Sequence, residues 1–437
     1  MFMKTICKVC HEGTGFSAVD LNGVSHMFAV AVPRRGSTFG QQADDALQMI
    51  EAMFREEGAR GSVVNQTVFL SDAGQIDECR RIMRDFYGRD LPATTYIPQR
   101  PCNGSMLSIE AFGVGQRYGD VGIKRVSDQL VIVRHNGLDW IHCAQIVPSA
   151  QCDAVYDAAT NALKQTHSLL SGVGIHFDKI IRTWFYLGGI VAHEGPTQRY
   201  KELNRARGDF YGDVSFLANH APETHSGPAY PASTCIGAEG RGMMIGAIAL
   251  ATNRKDVVAA PLENPRQTSA YDYTADYSPC SPKFSRGIAL SWGTCATIFI
   301  SGTASIMNSE TLHINDAVAQ THETLDNIEV LISKDNLRQH GLPGFGAALE
   351  GLGLVRVYIK RQEDFAKVRA VCRQRLGELP TTYTIADICR PELLVEIEGI
   401  AFSRKITTPH MKAPVAQPFV FDMELGLLGY DTPVSLE

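Results

Sequence analysis

The string Asp-Phe-Tyr-Gly occurs twice in the chain, at 85–88 and at 209–212, which is 124 residues apart. After each copy the chain reaches a proline that begins a short β-prone run, at Pro92 and at Pro231. A third run of the same kind begins at Pro380. An apolar strand-like stretch follows each run, at 106–114, 243–250 and 393–402. Self-similarity of this kind indicates a repeated structural unit. The sequence therefore predicts three copies of one fold unit in a single chain.

The order of the predicted elements is the same in each copy. Two β-like runs precede a helix whose apolar side chains recur at the helical period, as at Leu325, Ile328 and Ile332. A buried strand comes next, at 62–70, 179–187 and 352–360, and is followed by a second helix and the final pair of strands. The predicted unit is thus β-β-α-β-α-β-β. Its fold class is α+β, with a mixed sheet that carries two helices on one face.

The packing of these units follows from the strands, which are apolar on both faces. Three sheets can bury their open faces by closing around a pseudo-threefold axis within one chain, and we therefore expect a monomer. The three predicted units are 1–124, 125–252 and 283–404. The segment 253–282, which is rich in Pro, Tyr and Asp, is predicted to be a linker, and 405–437 is predicted to be an extended tail.

Composition excludes several classes of protein. The formal net charge is −6, and the chain has no basic block suited to nucleic acid. No apolar run approaches the roughly 18–20 residues of a membrane span, and the N-terminus lacks a signal-peptide core, so a cytoplasmic location without membrane contact is expected. The cluster Cys7, Cys10 and His11 has the spacing of haem attachment but no export signal, and no second metal-ligand pair exists. No metal, nucleotide or other cofactor is expected, since the common cofactor motifs are absent.

The repeated order and its strings resemble the YjgF/RidA superfamily, also called the endoribonuclease L-PSP family, whose units have a chorismate mutase-like fold. Its members are usually homotrimers with ligand sites in the clefts between protomers. Units two and three resemble the chorismatases over roughly residues 125 to 404. The strings that carry this resemblance lie at 182–187, 198–207, 230–238, 263–271, 281–287 and 299–306.

Three positions separate this chain from imine-deaminating RidA proteins. Those proteins carry a carboxylate-binding Arg two residues after the proline of the final strand pair, and the matching residues here are Thr94, Ser233 and Thr382. None of them supplies the guanidinium fork that binds a carboxylate in bidentate fashion. The resemblance to chorismatases therefore implies cleavage of the enol ether of chorismate or a related small carboxylic acid, with release of pyruvate. The alternatives are a RidA-like imine or enamine deaminase-hydrolase and a non-catalytic metabolite-binding pseudo-trimer.

Two glutamates on the last predicted strand are candidates for acid catalysis. Glu396 and Glu398 are two residues apart, which places their side chains on the same face of a strand. The superfamily places a cleft glutamate at the position of Glu398; unit one has Glu110 there and unit two has Gly246. An enol ether is cleaved after protonation of its methylene carbon, for which a desolvated carboxylic acid is suited. Glu398 is the predicted proton donor, in a cleft between units two and three.

The residues predicted to bind the substrate follow from the same resemblance. A dicarboxylate needs fixed cations, supplied by Arg199 and Arg286, with Arg182, Arg205 and Arg207 as further candidates. Hydrogen-bonding and close backbone contacts with the substrate are expected from the remaining set, which is Tyr200, Ser301, Gly302, Thr303 and Cys235. A small-molecule carboxylate is the expected partner.

Overall fold

The computed structural model describes residues 6–56, 62–116, 120–149, 152–274, 277 and 279–405. Within these ranges the long strands form three six-stranded sheets. The predicted tail at 405–437 lies outside the described residues except for Lys405. None of the described helices is both long and apolar enough to cross a membrane.

The first sheet has the strand order β1-β2-β3-β6-β4-β5. Only β4 and β5 pair in parallel. Its elements in chain order are β1 (Ile6–His11), β2 (Thr14–Leu21), β3 (Val24–Ala31), α1 (Phe39–Glu56), β4 (Ser62–Leu70), α2 (Ile76–Tyr87), β5 (Ala93–Pro98) and β6 (Leu107–Gln116).

The second sheet repeats this arrangement with the order β13-β10-β14-β9-β8-β7. Its elements are β7 (Gly122–Ser127), β8 (Leu130–His135), β9 (Leu138–Ile146), α3 (Val155–Ser171), β10 (Ile180–Gly188), the short β11 (His193–Glu194) and β12 (Thr197–Gln198), α4 (Arg199–Tyr211), β13 (Ala232–Ala238) and β14 (Met243–Thr252).

The third sheet has the order β15-β16-β17-β22-β20-β21. Its elements are β15 (Val258–Leu262), β16 (Gly287–Trp292), β17 (Cys295–Ala304), the short β18 (Ile306–Met307) and β19 (Glu310–Thr311), α5 (Ala317–Ile332), α6 (Lys334–Gln339), β20 (Leu352–Ile359), α7 (Phe365–Leu376), β21 (Thr381–Ile385) and β22 (Val395–Arg404).

The α+β fold class with repeated units is confirmed, but in each copy three strands of the six-stranded sheet precede the first helix, where two were predicted. The additional strands are the edge strands β1, β7 and β15. The segment at 253–282 was predicted to be a linker, and this is wrong for β15, which pairs with β16. β15 contains Pro261, and a proline is tolerated on an edge strand because one side of that strand makes no ladder hydrogen bonds.

The three sheets close on one another through matching contacts. The backbone N–H of Thr94 donates to Asp128 O at 3.3 Å, that of Ser285 to Pro231 O at 3.2 Å, and that of Thr381 to Gly13 O at 2.9 Å. In each case the residues at the start of one sheet's parallel edge strand meet the next sheet. The intramolecular pseudo-trimer expected from the repeats is therefore present.

Side chains from all three sheets meet in a shared core around the pseudo-threefold axis. Trp140 of the second sheet contacts Phe299 of the third, with ring centroids 6.4 Å apart. Phe28 of the first sheet contacts Phe402 of the third at 5.5 Å. Because this core is shared, no single sheet can bury its inner face alone.

Three buried histidines lie at one end of this core. The Nε2 atoms of His26 and His135 are 3.1 Å apart, and His142 lies beside them. Burial lowers the pKa of His135 to about 4 and, together with His135, lowers that of His142 to about 3. Burial and the two neighbouring histidines also place the pKa of His26 well below its ordinary value. All three are therefore neutral in the folded protein at pH 7.

The histidine cluster is expected to make the fold sensitive to acid. A histidine in the unfolded chain binds a proton below about pH 6.5, whereas the buried histidines of the folded protein stay neutral until the pH is near 4. The free energy of unfolding is therefore at its full value above about pH 6.5 and decreases as the pH falls below it. Each histidine should lower the free energy of unfolding by about 1.4 kcal/mol per pH unit in this window. Urea unfolding of wild type and His142→Phe at pH 7 and pH 5 measures the effect. The variant should show a smaller loss, and an exposed control, His167→Gln, should match wild type; equal losses in all three proteins would contradict this assignment.

Candidate active site

The strand β22 carries the two predicted carboxylates, and both reach the region of Thr234 and Gly302. The hydroxyl of Thr234 contacts a carboxylate oxygen of Glu398, and Gly302 N donates to the same hydroxyl at 2.9 Å. A Cβ placed on Gly302 would lie 2.1 Å from Glu396 Oε1. The period-two prediction therefore holds, but the two side chains enter different cavities.

Glu398 is enclosed by donors near the pseudo-threefold axis. Arg182 and Thr234 contact its Oε2, and Trp184 Nε1 lies 3.0 Å from both oxygens. Arg356 Nη1 and the Tyr358 hydroxyl donate to Oε1 at 3.1 and 2.9 Å. Burial alone would raise the pKa of Glu398, but the charges of Arg182 and Arg356 outweigh it and hold this pKa below its ordinary value. A carboxylate held in this way is a poor proton donor, which argues against the role predicted for Glu398.

Arg356 connects Glu398 to the first sheet. Its Nε and Nη2 donate to the two oxygens of Glu110 at 2.7 and 2.5 Å. Glu110, Arg182, Arg356 and Glu398 are each less than a tenth exposed, and we call this set the central network. Two carboxylates and two guanidinium groups balance in charge, as buried ions require.

A separate cavity of about 770 Å³, including its mouth, lies between the second and third sheets. Glu396 lines it, so we name it the Glu396 cleft. Its polar wall comprises Gln198, Tyr200, Lys201, Arg207, Ser233, Tyr273, Tyr277, Arg286 and Arg390. Its less polar wall includes Cys235, Phe284, Gly302, Ala304, Ile306, Cys389 and Leu393.

Glu396 is the buried acid of this cleft. Burial, with a contribution from the negative charge of Glu398, raises the pKa of Glu396 to about 8, although Arg182 and Arg286 act in the opposite direction. It is therefore mainly protonated at pH 7. β17 departs from regular pairing with β22 between Ile300 and Thr303, and Gly302 in this irregular stretch allows the close approach of the Glu396 carboxyl.

Two buried guanidinium groups stand in the wall of the same cleft. Arg286 Nη2 donates to Thr268 O at 2.8 Å and to the Tyr273 hydroxyl at 2.7 Å. Arg207 donates to Asn204 Oδ1 at 2.7 Å and contacts Ser233 Oγ at 3.4 Å. Among the described residues, the Nε of each lacks a hydrogen-bond partner. The site therefore combines a neutral acid with cations that have donors to spare.

Four of the residues predicted to bind the substrate line the Glu396 cleft, namely Tyr200, Cys235, Arg286 and Gly302. The cleft also contains residues that the sequence analysis did not single out, among them Lys201, Tyr273, Cys389 and Arg390. Tyr273 lies in the predicted linker, where an aromatic-rich segment between two units was the only available signal.

The other three residues predicted to bind the substrate, Arg199, Ser301 and Thr303, make hydrogen bonds to other parts of the protein. Arg199 is held by Gly188 O at 2.9 Å, Arg241 O at 2.7 Å and a 2.6 Å ion pair with Glu194. These partners hold the guanidinium of Arg199 in the loop before α4, and Arg199 does not line the Glu396 cleft, so its contact with substrate stays a prediction.

Ser301 and Thr303 connect segments of the chain. Ser301 Oγ accepts from Ser233 N at 2.8 Å and donates to Ser285 O at 2.6 Å, and so joins the second and third sheets. Thr303 Oγ1 donates to Ser301 O at 2.9 Å. Their hydroxyls are engaged by the protein itself, so neither supports the predicted contact with substrate.

Comparison with known proteins shows which family the chain belongs to. The chain is 33% identical over 273 residues to a 3-hydroxybenzoate synthase of Streptomyces hygroscopicus, covering 74% of that protein and 61% of this chain. It is also 33% identical over 273 residues to a chorismatase of Streptomyces hygroscopicus, covering 74% of that protein and 61% of this chain. A chorismatase crystal structure shares the fold, with a TM-score of 0.62 and 22% identity over 87% of this chain and all of that one. No protein-family model matches the sequence. On the strength of the identity and coverage, the chain belongs to the chorismatase family of enzymes.

Proposed function

We propose that this enzyme cleaves the enol ether of chorismate, or of a closely related acid, in the Glu396 cleft and releases pyruvate. The observation that carries the proposal is a buried carboxylic acid, Glu396, whose pKa is raised to about 8 and which shares a cavity with two buried arginines. The 33% identity to a protein named chorismatase supports chorismate as the substrate.

The proposed first step is protonation of the enol ether carbon. Glu396 gives its proton to the methylene carbon, the C=C electron pair forms the new C–H bond, and the cation is shared with the ether oxygen. Water then adds to this oxocarbenium ion and loses a proton to the Glu396 carboxylate. The hemiketal breaks its bond to the ring oxygen, its hydroxyl proton passes to that oxygen, and pyruvate and a ring alcohol are left. If no water adds, the ring carbon–oxygen bond breaks instead, its electron pair completes the carbonyl group of pyruvate, and loss of a ring proton to the Glu396 carboxylate leaves an aromatic hydroxybenzoate.

The charges around the cleft suit this sequence of steps. Arg286 and Arg207 are fixed by neutral partners, so their positive charges remain available to the carboxylates of the substrate. The thiols of Cys235 and Cys389 are poor nucleophiles here, because burial raises the pKa of both. Acid catalysis by Glu396 therefore needs no covalent intermediate.

Glu398 contributes to the acidity of this site without touching the substrate. Its carboxylate stays ionised between Arg182 and Arg356, and its negative charge disfavours ionisation of Glu396. In this proposal Glu398 is a positioning residue, and Glu396 is the catalytic acid.

Incubation of the purified protein with chorismate tests the proposal. Pyruvate should appear in a lactate dehydrogenase-coupled assay, and chromatography of the ring product distinguishes a dihydrodiol from a hydroxybenzoate. Absence of pyruvate release under conditions in which the protein is folded would overturn the proposed function.

Arg286→Ala is expected to weaken substrate binding. Loss of a charged hydrogen bond costs about 1.5–3 kcal/mol, so KM for chorismate should rise by about 10- to 100-fold with a smaller change in kcat. The matched control is Arg205→Ala, since Arg205 lies on α4 outside the cleft wall and pairs with Glu202 at 2.6 Å. Steady-state kinetics of the two variants decides the matter, and an equal effect on KM in both would remove Arg286 from the binding site.

A further inference from the structure

The fold contains a second copy of the catalytic cleft, between the third and first sheets. The cavity has a volume of about 920 Å³ including its mouth, and it is lined by Ser108, so we name it the Ser108 cleft. Ser108 lies two residues before Glu110, as Glu396 lies two before Glu398. Thr382 follows Pro380 by two residues, as Ser233 follows Pro231. These matching residues line their respective cavities, so the two clefts are related by the pseudo-threefold axis.

The position of the catalytic acid differs among the three clefts. In the Ser108 cleft the counterpart of Glu396 is Ser108. In the third cleft, a cavity between the first and second sheets, the counterpart is Met244, which lines that cavity. Serine cannot protonate a carbon atom at neutral pH, so the chemistry proposed for Glu396 is lost at Ser108. Its hydroxyl can still donate and accept hydrogen bonds, whereas the methionine keeps neither the acid nor a strong polar group.

The Ser108 cleft contains buried hydroxyl groups that have no partner in the described part of the chain. Ser108 and Thr382 are each 2% exposed, and the side-chain oxygen of each makes no hydrogen bond there. Both residues line the cavity. Because a buried hydroxyl without a partner is unfavourable, these two point to a polar group that occupies the cleft.

The rest of the wall defines the chemistry of that occupant. Phe365 stands at the start of α7, where Tyr200 stands near the start of α4, and its ring meets that of Tyr383 with centroids 5.6 Å apart. Arg34 and Arg369 line the same cavity. Arg369 is paired with Glu12 at 2.9 Å, while Arg34 extends from an exposed position after β3. The wall therefore offers ring surfaces, hydroxyl groups, the ion pair of Glu12 with Arg369, and the cation of Arg34.

We propose that the Ser108 cleft binds a small hydroxylated aromatic carboxylate and does not convert it. The carboxylate pairs with the guanidinium of Arg34, the ring lies against Phe365 and Tyr383, and a ring hydroxyl exchanges hydrogen bonds with Ser108 and Thr382. This assignment rests on the walls of this cleft and does not require the reaction proposed for the Glu396 cleft.

The test is a titration of the full-length protein with 3-hydroxybenzoate as the probe, measured by isothermal titration calorimetry. Arg34→Ala should remove or weaken at least tenfold one class of binding site, and it should leave pyruvate release from chorismate unchanged. Arg35→Ala is the matched control, because Arg35 is the neighbouring exposed arginine and does not line the cavity; it should bind the probe as wild type does. Ser108→Leu, which fills the cleft, should have the same effect as Arg34→Ala.

The outcomes separate this inference from the proposed function. Binding that Arg34→Ala weakens and Arg286→Ala does not affect supports the Ser108 cleft, even if chorismate is not turned over. Binding that depends on Arg286 alone, or a crystal structure with the probe in the Glu396 cleft and none in the Ser108 cleft, overturns it. Arg34→Ala is a surface change and keeps the test valid if Ser108→Leu fails to fold.

Discussion

Glu396→Gln is expected to lower turnover of chorismate by about 10²–10⁴-fold, the usual contribution of a general acid. The amide keeps the size and hydrogen-bonding capacity of the side chain but has no proton to transfer. KM should change little, because the arginines of the Glu396 cleft remain in place. Single-turnover measurement of pyruvate release separates the chemical step from binding.

The pH dependence gives a second measure of the same residue. Glu396 must be protonated to act, so activity should be present below pH 8 and should fall as the pH rises through the raised pKa of about 8. Glu398→Gln removes a negative charge that helps to raise this pKa, so the alkaline limb should move to lower pH in that variant. A larger loss of kcat in Glu398→Gln than in Glu396→Gln, with an unmoved pH profile, would reverse the roles assigned here.

Arg356→Met is expected to destabilise the protein by about 3–5 kcal/mol, the cost of breaking a buried ion pair. The change leaves Glu110 and Glu398 in the interior with Arg182 as the one remaining cation of the central network. Urea or thermal unfolding measures the loss. Adding Glu110→Gln to Arg356→Met restores the balance of charge, so the double variant should recover part of the stability.

An exposed ion pair supplies the control for the central network. Arg84 contacts Asp128 at 3.2 Å, and both side chains are more than half exposed. Arg84→Met should cost no more than about 1 kcal/mol. Equal destabilisation by Arg84→Met and Arg356→Met would mean that burial does not determine the strength of these pairs.

Much of the fold could be predicted because its signals are local. The buried strand at 62–70 was predicted at the bounds that β4 has, and the three closing strands were found from apolar runs of similar length. The edge strands escaped because their sequences resemble loops. β7 contains two charged residues, Lys124 and Arg125, and four of its six residues are exposed, while β15 contains a proline. Edge strands have one free side, so the pattern that reveals a central strand is weaker there.

The candidate site shows a different limit of sequence reasoning. Period two placed Glu396 and Glu398 on one face, but their charge states depend on residues far away in the chain. Arg182, which pairs with Glu398, is 216 residues distant. The family resemblance indicated the strand, and only the three-dimensional arrangement distinguishes Glu396, the proposed acid, from Glu398, which is ion-paired two residues later.

Fusion of the three units changes which arrangements of charge are available at the axis. In three identical subunits, any residue that faces a threefold axis appears three times, and its counter-ion must also appear in multiples of three. The axis here has Glu110, Gly246 and Glu398 at corresponding positions, with Arg182 and Arg356 opposite them. A two-to-two balance of this kind has no symmetric equivalent. A single chain can therefore substitute one axis position at a time, and the three clefts around that axis can diverge without a simultaneous change in all of them.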